Sequence, residues 1–100
     1  MPLGAVRTIQ ADMSKKRGEY LRAVEFYLVA SLAEEHGAVY HDFSYFKKRI
    51  RPCAKRLKWG EQEIEYLAYL LKSHVDQNIF SEIELIDSYR RFLKEKGIEY

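Results

Sequence analysis

The sequence holds a single cysteine, Cys53, so no disulfide can form within the chain. Glycine (five) and proline (two) are scarce, which argues against an all-β chain built from many tight turns. Asparagine occurs once, at Asn78, and glutamine three times, while glutamate, lysine, arginine and tyrosine are abundant. Few thermolabile amides among many charges lean toward a thermophilic composition. No apolar run approaches the roughly 18 residues of a membrane span, and no stretch has the charged and then apolar pattern of a secretory signal. Phosphate-binding glycine loops, nucleophile elbows and zinc-ligand spacings are also missing. Together these absences predict a cytoplasmic protein without cofactor or metal, and they propose no catalytic residue. They leave an enzyme open, because active sites assemble in three dimensions.

One hundred residues make one domain, and 47% apolar residues are too many for a disordered chain. The net charge of +2 hides an asymmetry. Residues 1–60 carry twelve lysines and arginines against six acids, and residues 61–100 carry five against nine. The two halves either attract each other within the fold or leave the first half free for an acidic partner.

Residues 1–13 show no strong apolar period, since Leu3, Val6 and Ile9 are too sparse to force a helix. They are predicted to form a loosely attached N-terminal arm. Residues 14–100 are predicted to form a single all-α domain, a small four-helix bundle with a Pro-kinked second helix. The first helix is expected from about Ser14 to His36, with Gly37 as its stop. Tyr20, Leu21, Val24, Tyr27, Leu28 and Leu32 form one apolar face of it. Phe26, Val29, Ala30 and Ala33 form a second stripe on the far side. That surplus stripe predicts an interface with a second copy, giving a homodimer or a larger complex.

The second helix is expected from about Asp42 to Trp59, with Gly60 as its stop. Phe43, Phe46, Ile50, Cys53 and Leu57 recur at spacings of 3, 4, 3 and 4, straight through Pro52. The unbroken register argues for one helix kinked at the proline, and two short helices meeting at Arg51-Pro52 are the alternative. The third helix is expected over Glu61 to His74, with Ile64, Leu67, Ala68, Leu71 and Val75 on one face. The fourth opens on a capping box, Ser81-Glu82-Ile83-Glu84, and stops at Gly97, where Ile98 is placed to touch Leu93.

The strongest chemical feature is a basic run. Lys47, Lys48, Arg49, Arg51, Lys55, Arg56 and Lys58 put seven positive charges into twelve residues with no acid among them. At about 100° per residue, Lys47, Lys48, Arg51, Lys55 and Lys58 share one arc apart from the apolar stripe. A basic ribbon of this kind follows a phosphate backbone. It is equally the pattern of a solvated helix face neutralised by the acids of helices 3 and 4. Trp59 and Tyr45 border the ribbon, where core packing is favoured over stacking on bases. Cys53 falls on the apolar stripe and reads as a small core residue. His36 and His41, beside Glu35 and Asp42, supply half of a metal site at most. A helix-turn-helix reader formed by helices 3 and 4 is rejected, because their connection is long and helix 4 begins with acids.

The function expected from these residues is a non-catalytic binding module. It would be a small accessory or architectural protein that uses the second helix to bind nucleic acid or a nucleoprotein complex. The alternative is a helical protein–protein interaction subunit or homo-oligomer with no nucleic-acid role. The two separate on where the acids of helices 3 and 4 fall.

Overall fold

The computed structural model of the chain describes residues 3–35 and 43–100. All regular structure among the described residues is α-helical: α1 (Leu3–Lys16), α2 (Tyr20–Glu35), α3 (Ser44–Arg56), α4 (Glu61–Asp76) and α5 (Glu82–Glu95). His36, Gly37, His41 and Asp42, to which the sequence assigns a helix stop, half a metal site and a helix start, lie outside the described residues.

Four of these helices close in the same way. A residue just past the end turns left-handed, and two backbone N–H groups fold back onto the last free carbonyls. The turning residues are Gly18 (φ +78°), Lys58 (+61°), Asn78 (+58°) and Gly97 (+76°). The longer back-bonds run from Glu19 N to Ser14 O (2.9 Å), Trp59 N to Ala54 O (2.8 Å), Ile79 N to His74 O (2.8 Å) and Ile98 N to Leu93 O (2.9 Å). The last is the contact expected at Gly97. At the start of α5 the Ser81 hydroxyl accepts from Glu84 N at 3.3 Å, as the capping box requires. Gly60 does not stop α3. It is the extended residue that precedes α4, and Lys58 makes the turn instead.

Gly18 also divides what reads in sequence as one helix from Ser14. The segment read as a loose arm is helical from Leu3 and lies along α2. Its inner face escapes an apolar-period search because it is built from small residues: Gly4, Ala11 and Ser14 are the buried ones. Small residues allow close approach. A Cβ added at Gly4 would meet Glu34 Cγ at 3.1 Å and the Ala30 carbonyl at 3.4 Å.

α2 is the central helix, packed by α1, α3, α4 and α5, which explains why it is apolar on nearly all sides. The stripe read as an oligomer interface is filled within the chain. Val29 and Ala30 are buried, Phe26 and Ala33 are half-buried, and α1 covers this side. The surplus face was surplus only to a bundle that lacked α1.

α3 runs unbroken through Pro52. Phe46, Ile50 and Cys53 are buried on its inner side, while Pro52 and Lys48 are exposed. The carbonyl that Pro52 leaves without a helical donor belongs to Lys48, an exposed residue, and on the solvent side of a helix water can serve such a group, so the proline is tolerated there.

Polar groups tie the buried faces together. The Tyr89 hydroxyl donates to the Leu21 carbonyl at 2.7 Å, and the Tyr27 hydroxyl donates to Asp12 of α1. Glu25, buried on α2, accepts from Arg90 at 3.1 Å and from the Tyr100 hydroxyl at 2.9 Å. Burial pushes the Tyr89 phenol far above its ordinary value of 10.0, and burial with the Asp12 carboxylate does the same to Tyr27. The unfolded chain releases these protons near pH 10 while the folded chain keeps them. Stability from both tyrosines is therefore complete below about pH 10 and falls as pH climbs above it. Urea midpoints measured from pH 8 upward are expected to hold to about 9.5 and then decline. A midpoint that stays level at pH 11 would contradict this account.

Candidate functional site

Because Phe46, Ile50 and Cys53 turn inward, helical geometry sends Lys48 and Lys55, seven residues apart, to the opposite side. Both are exposed, as are Arg51 and Lys58, while Lys47 is half-buried. The acids of α4 reach only the flank of this ribbon. Lys47 Nζ lies 2.9 Å from both carboxylate oxygens of Glu65, and Arg51 pairs with Glu61. Lys48, Lys55 and Lys58 have no ion pair among the described residues. The five predicted ribbon residues thus divide into a paired row of two against α4 and an open row of three.

The division follows from how α4 is held. Trp59, in the turn between α3 and α4, is buried and meets the Phe92 ring edge-on at 5.5 Å. This Trp is a packing residue and not a base-stacking surface. α4 starts two residues later, so Glu61 and Glu65, one turn apart, face Arg51 and Lys47. The partners are all partly exposed, and pairs of that kind contribute about 0–1 kcal/mol. Three further acids are engaged elsewhere: Glu63 holds Lys96 at 3.2 Å, Glu82 holds Arg7 at 2.8 Å, and Asp76 pairs with Lys72 one turn before it.

The other flank of α3 faces α1. Arg49 lies 4.0 Å from the exposed Tyr45 ring and 3.2 Å from Glu34 of α2. Arg56 stands 5.9 Å from the ring of Tyr20, at the start of α2. The last turn of α1 comes to the same end. Burial pushes the Cys53 thiol up, and the charge of Lys15 pulls against that shift from α1. Gly18, Tyr20 and Leu57 line one depression there. Lys15, Lys16 and Arg17 are therefore neighbours of the α3 terminus, which no reading of α3 alone could find. The signal was a run of three basic residues at the start of what the sequence reads as one helix from Ser14.

Other features offer less. A shallow depression beside Tyr66 and Phe92 is occupied by the chain's own lysine: Lys96 Nζ lies 5.5 Å from the Phe92 ring centroid. A His74 ring nitrogen lies 3.0 Å from the Leu70 carbonyl, one turn back. No cluster that could hold a metal ion occurs among the described residues. No described helix is long and apolar enough to cross a membrane.

No protein-family model matches the chain, and no curated protein or solved structure is similar to it. What its residues can do rests on their own chemistry.

Proposed function

We propose that this chain is a non-catalytic binding module, a small accessory or architectural protein that engages nucleic acid through the outer side of α3. The observation that carries the reading is the open row Lys48, Lys55 and Lys58, exposed and without an acid partner among the described residues. Lys48 and Lys55 stand about 10 Å apart along the helix. Neutralised phosphates release counterions, so such a row binds duplexes of any sequence with an affinity that falls as salt rises. Lys47 and Arg51 add less, because phosphate must first displace Glu65 and Glu61.

Lys58 supports the reading from the backbone. It makes a left-handed turn that glycine makes after α1 and α5. A side chain in that conformation costs about 1–2 kcal/mol. Retaining a lysine there fits a residue kept for its charge.

Lys58→Gly is therefore expected to move stability and binding in opposite directions. The folded state should gain about 1 kcal/mol in urea melts, while affinity for a random-sequence duplex at low salt should fall several-fold. Lys48→Gln/Lys55→Gln should weaken binding further with little change in the melt. If the wild-type chain fails to retard DNA or RNA at low salt, the nucleic-acid reading is wrong and the function passes to protein interaction.

A further inference from the structure

The charge on the nucleic-acid side of this molecule does not end with α3. Both α1 and α3 pack on α2, and both terminate beside its first turn. There the C-terminal turn of α1 and the turn after it expose Lys16 and Arg17, with Lys15 half-exposed. The C-terminal turn of α3 exposes Lys55 and Arg56. None of the five has an ion pair among the described residues. The nearest acid in sequence, Glu19, is paired with Arg22 at 3.5 Å. Five free cations thus meet from segments some forty residues apart.

We infer that the phosphate-binding surface wraps this end of the bundle, with Lys15 and Lys16 of α1 and Arg17 just after it contacting the same nucleic acid as Lys55 and Arg56 of α3. The inference rests on the reading of α3 given above and names a second element, whose basic residues the sequence reads as the start of a helix from Ser14. Helices packed on a common neighbour lie about 8–10 Å from it. The α1 and α3 axes are therefore at most about 20 Å apart, a span that includes the width of a duplex major groove, about 12 Å. Cations on both sides of a groove reach both strands, and that favours a duplex over an isolated single strand.

Two other anionic partners fit less well. A membrane surface would need an apolar face beside the cations to bury among the lipids. Beneath this end Ala23, Val24 and Cys53 are in the core, and α1 exposes Met13 beside the cations with Ile9 one turn further off, two side chains that are too few for such a face. An acidic protein would need an apolar centre with a charged rim. Here the charges occupy the centre, and of the aromatics at this end Tyr20 is half-buried under Arg56 while the Tyr100 hydroxyl is held by Glu25.

The alternative role for these cations is local: lysines at helix ends offset the negative pole of their own helix. Charge-removing variants separate the two, because a local role changes the melt and not the binding. The experiment is fluorescence anisotropy of a short random-sequence duplex between about 50 and 200 mM salt. It compares the wild type, Lys15→Gln/Lys16→Gln/Arg17→Gln and Lys48→Gln/Lys55→Gln, and a polyglutamate arm runs beside it. The α1 triple variant is expected to reduce the steepness of the log-affinity against log-salt line by about 2–3, since each phosphate contact supplies about 0.9. If the wild type binds and the α1 variant keeps its slope and affinity, the wrapped surface is wrong and the α3 reading stands. A wild type that ignores the duplex overturns both, and one that instead binds polyglutamate assigns the cations to an acidic protein. Circular dichroism accompanies each variant. Should the triple variant lose helicity, Lys16→Gln and Arg17→Gln, both at exposed positions, carry the same comparison singly.

Discussion

Tyr89→Ala is expected to strip the chain of a large part of its stability and to lower its urea midpoint sharply. Tyr89 is the largest fully buried side chain, its hydroxyl donates to the Leu21 carbonyl, and its ring lies beside those of Phe92 and Tyr100. Truncating a buried aromatic to alanine costs about 3–5 kcal/mol, from lost burial and from the cavity left behind. A domain of this size holds only about 5–15 kcal/mol in total. Tyr89→Phe keeps the ring and removes only the hydroxyl, so it should cost about 1 kcal/mol. Urea melts of the two variants test the ordering. Equal losses would mean that the hydroxyl and not the ring holds α5 to α2.

The second large effect is expected at Ala11→Glu. Ala11 is fully buried where α1 meets α2. A carboxylate forced into that seam has no room and no partner, and burying an unpaired charge costs several kcal/mol even after relaxation. The helix escapes by detaching, which uncovers Val29 and Ala30. We expect a loss of at least about 3 kcal/mol, together with binding of a hydrophobic dye and self-association of the variant by light scattering. The wild-type chain, with that stripe covered, is expected to scatter as a monomer. A wild-type melt and no dye binding for Ala11→Glu would mean that residues 3–16 are an arm after all.

These two substitutions mark the line between what is legible in the sequence and what is not. Tyr89 is placed inward by its spacing with Ile86 and Leu93, because a helix with one large apolar stripe has one way to bury it. The stripe itself is centred one residue away, with Leu85 and Phe92 buried and Ile86 half-buried. The start of α4 and both ends of α5 are legible for a similar reason. Acids in the first turn, Ser81 before Glu84, and Gly97 before Ile98 each satisfy backbone groups within a few residues, without help from the rest of the chain. The course of α3 through Pro52 is legible because its apolar register continues.

Ala11 could not be placed inward, because alanine, glycine and serine carry almost no hydrophobic signal. The α1–α2 contact depends on shape, on how closely two backbones approach once side chains are small, and shape belongs to the pair of helices. Missing α1 made Phe26, Val29, Ala30 and Ala33 look unpartnered, so one omission produced a second. Lys58 was missed as a helix stop because glycine is the usual residue there, and Gly60 stood two positions away.

The candidate site shows the same boundary. The sequence by itself determined that the chain is helical and that α3 carries lysines on one side and core residues on the other, since both follow from repeats within a single helix. Which lysines stay free was decided only when the turn at Lys58 and the seat of Trp59 against Phe92 fixed α4, setting Glu61 and Glu65 against Arg51 and Lys47 and leaving Lys48 and Lys55 to solvent. That Lys15, Lys16 and Arg17 share an end with Arg56 was decided by Gly18, which turns α1 back along α2. Charge spacing along one helix is a local property, whereas the distance between charges on different helices is set by packing.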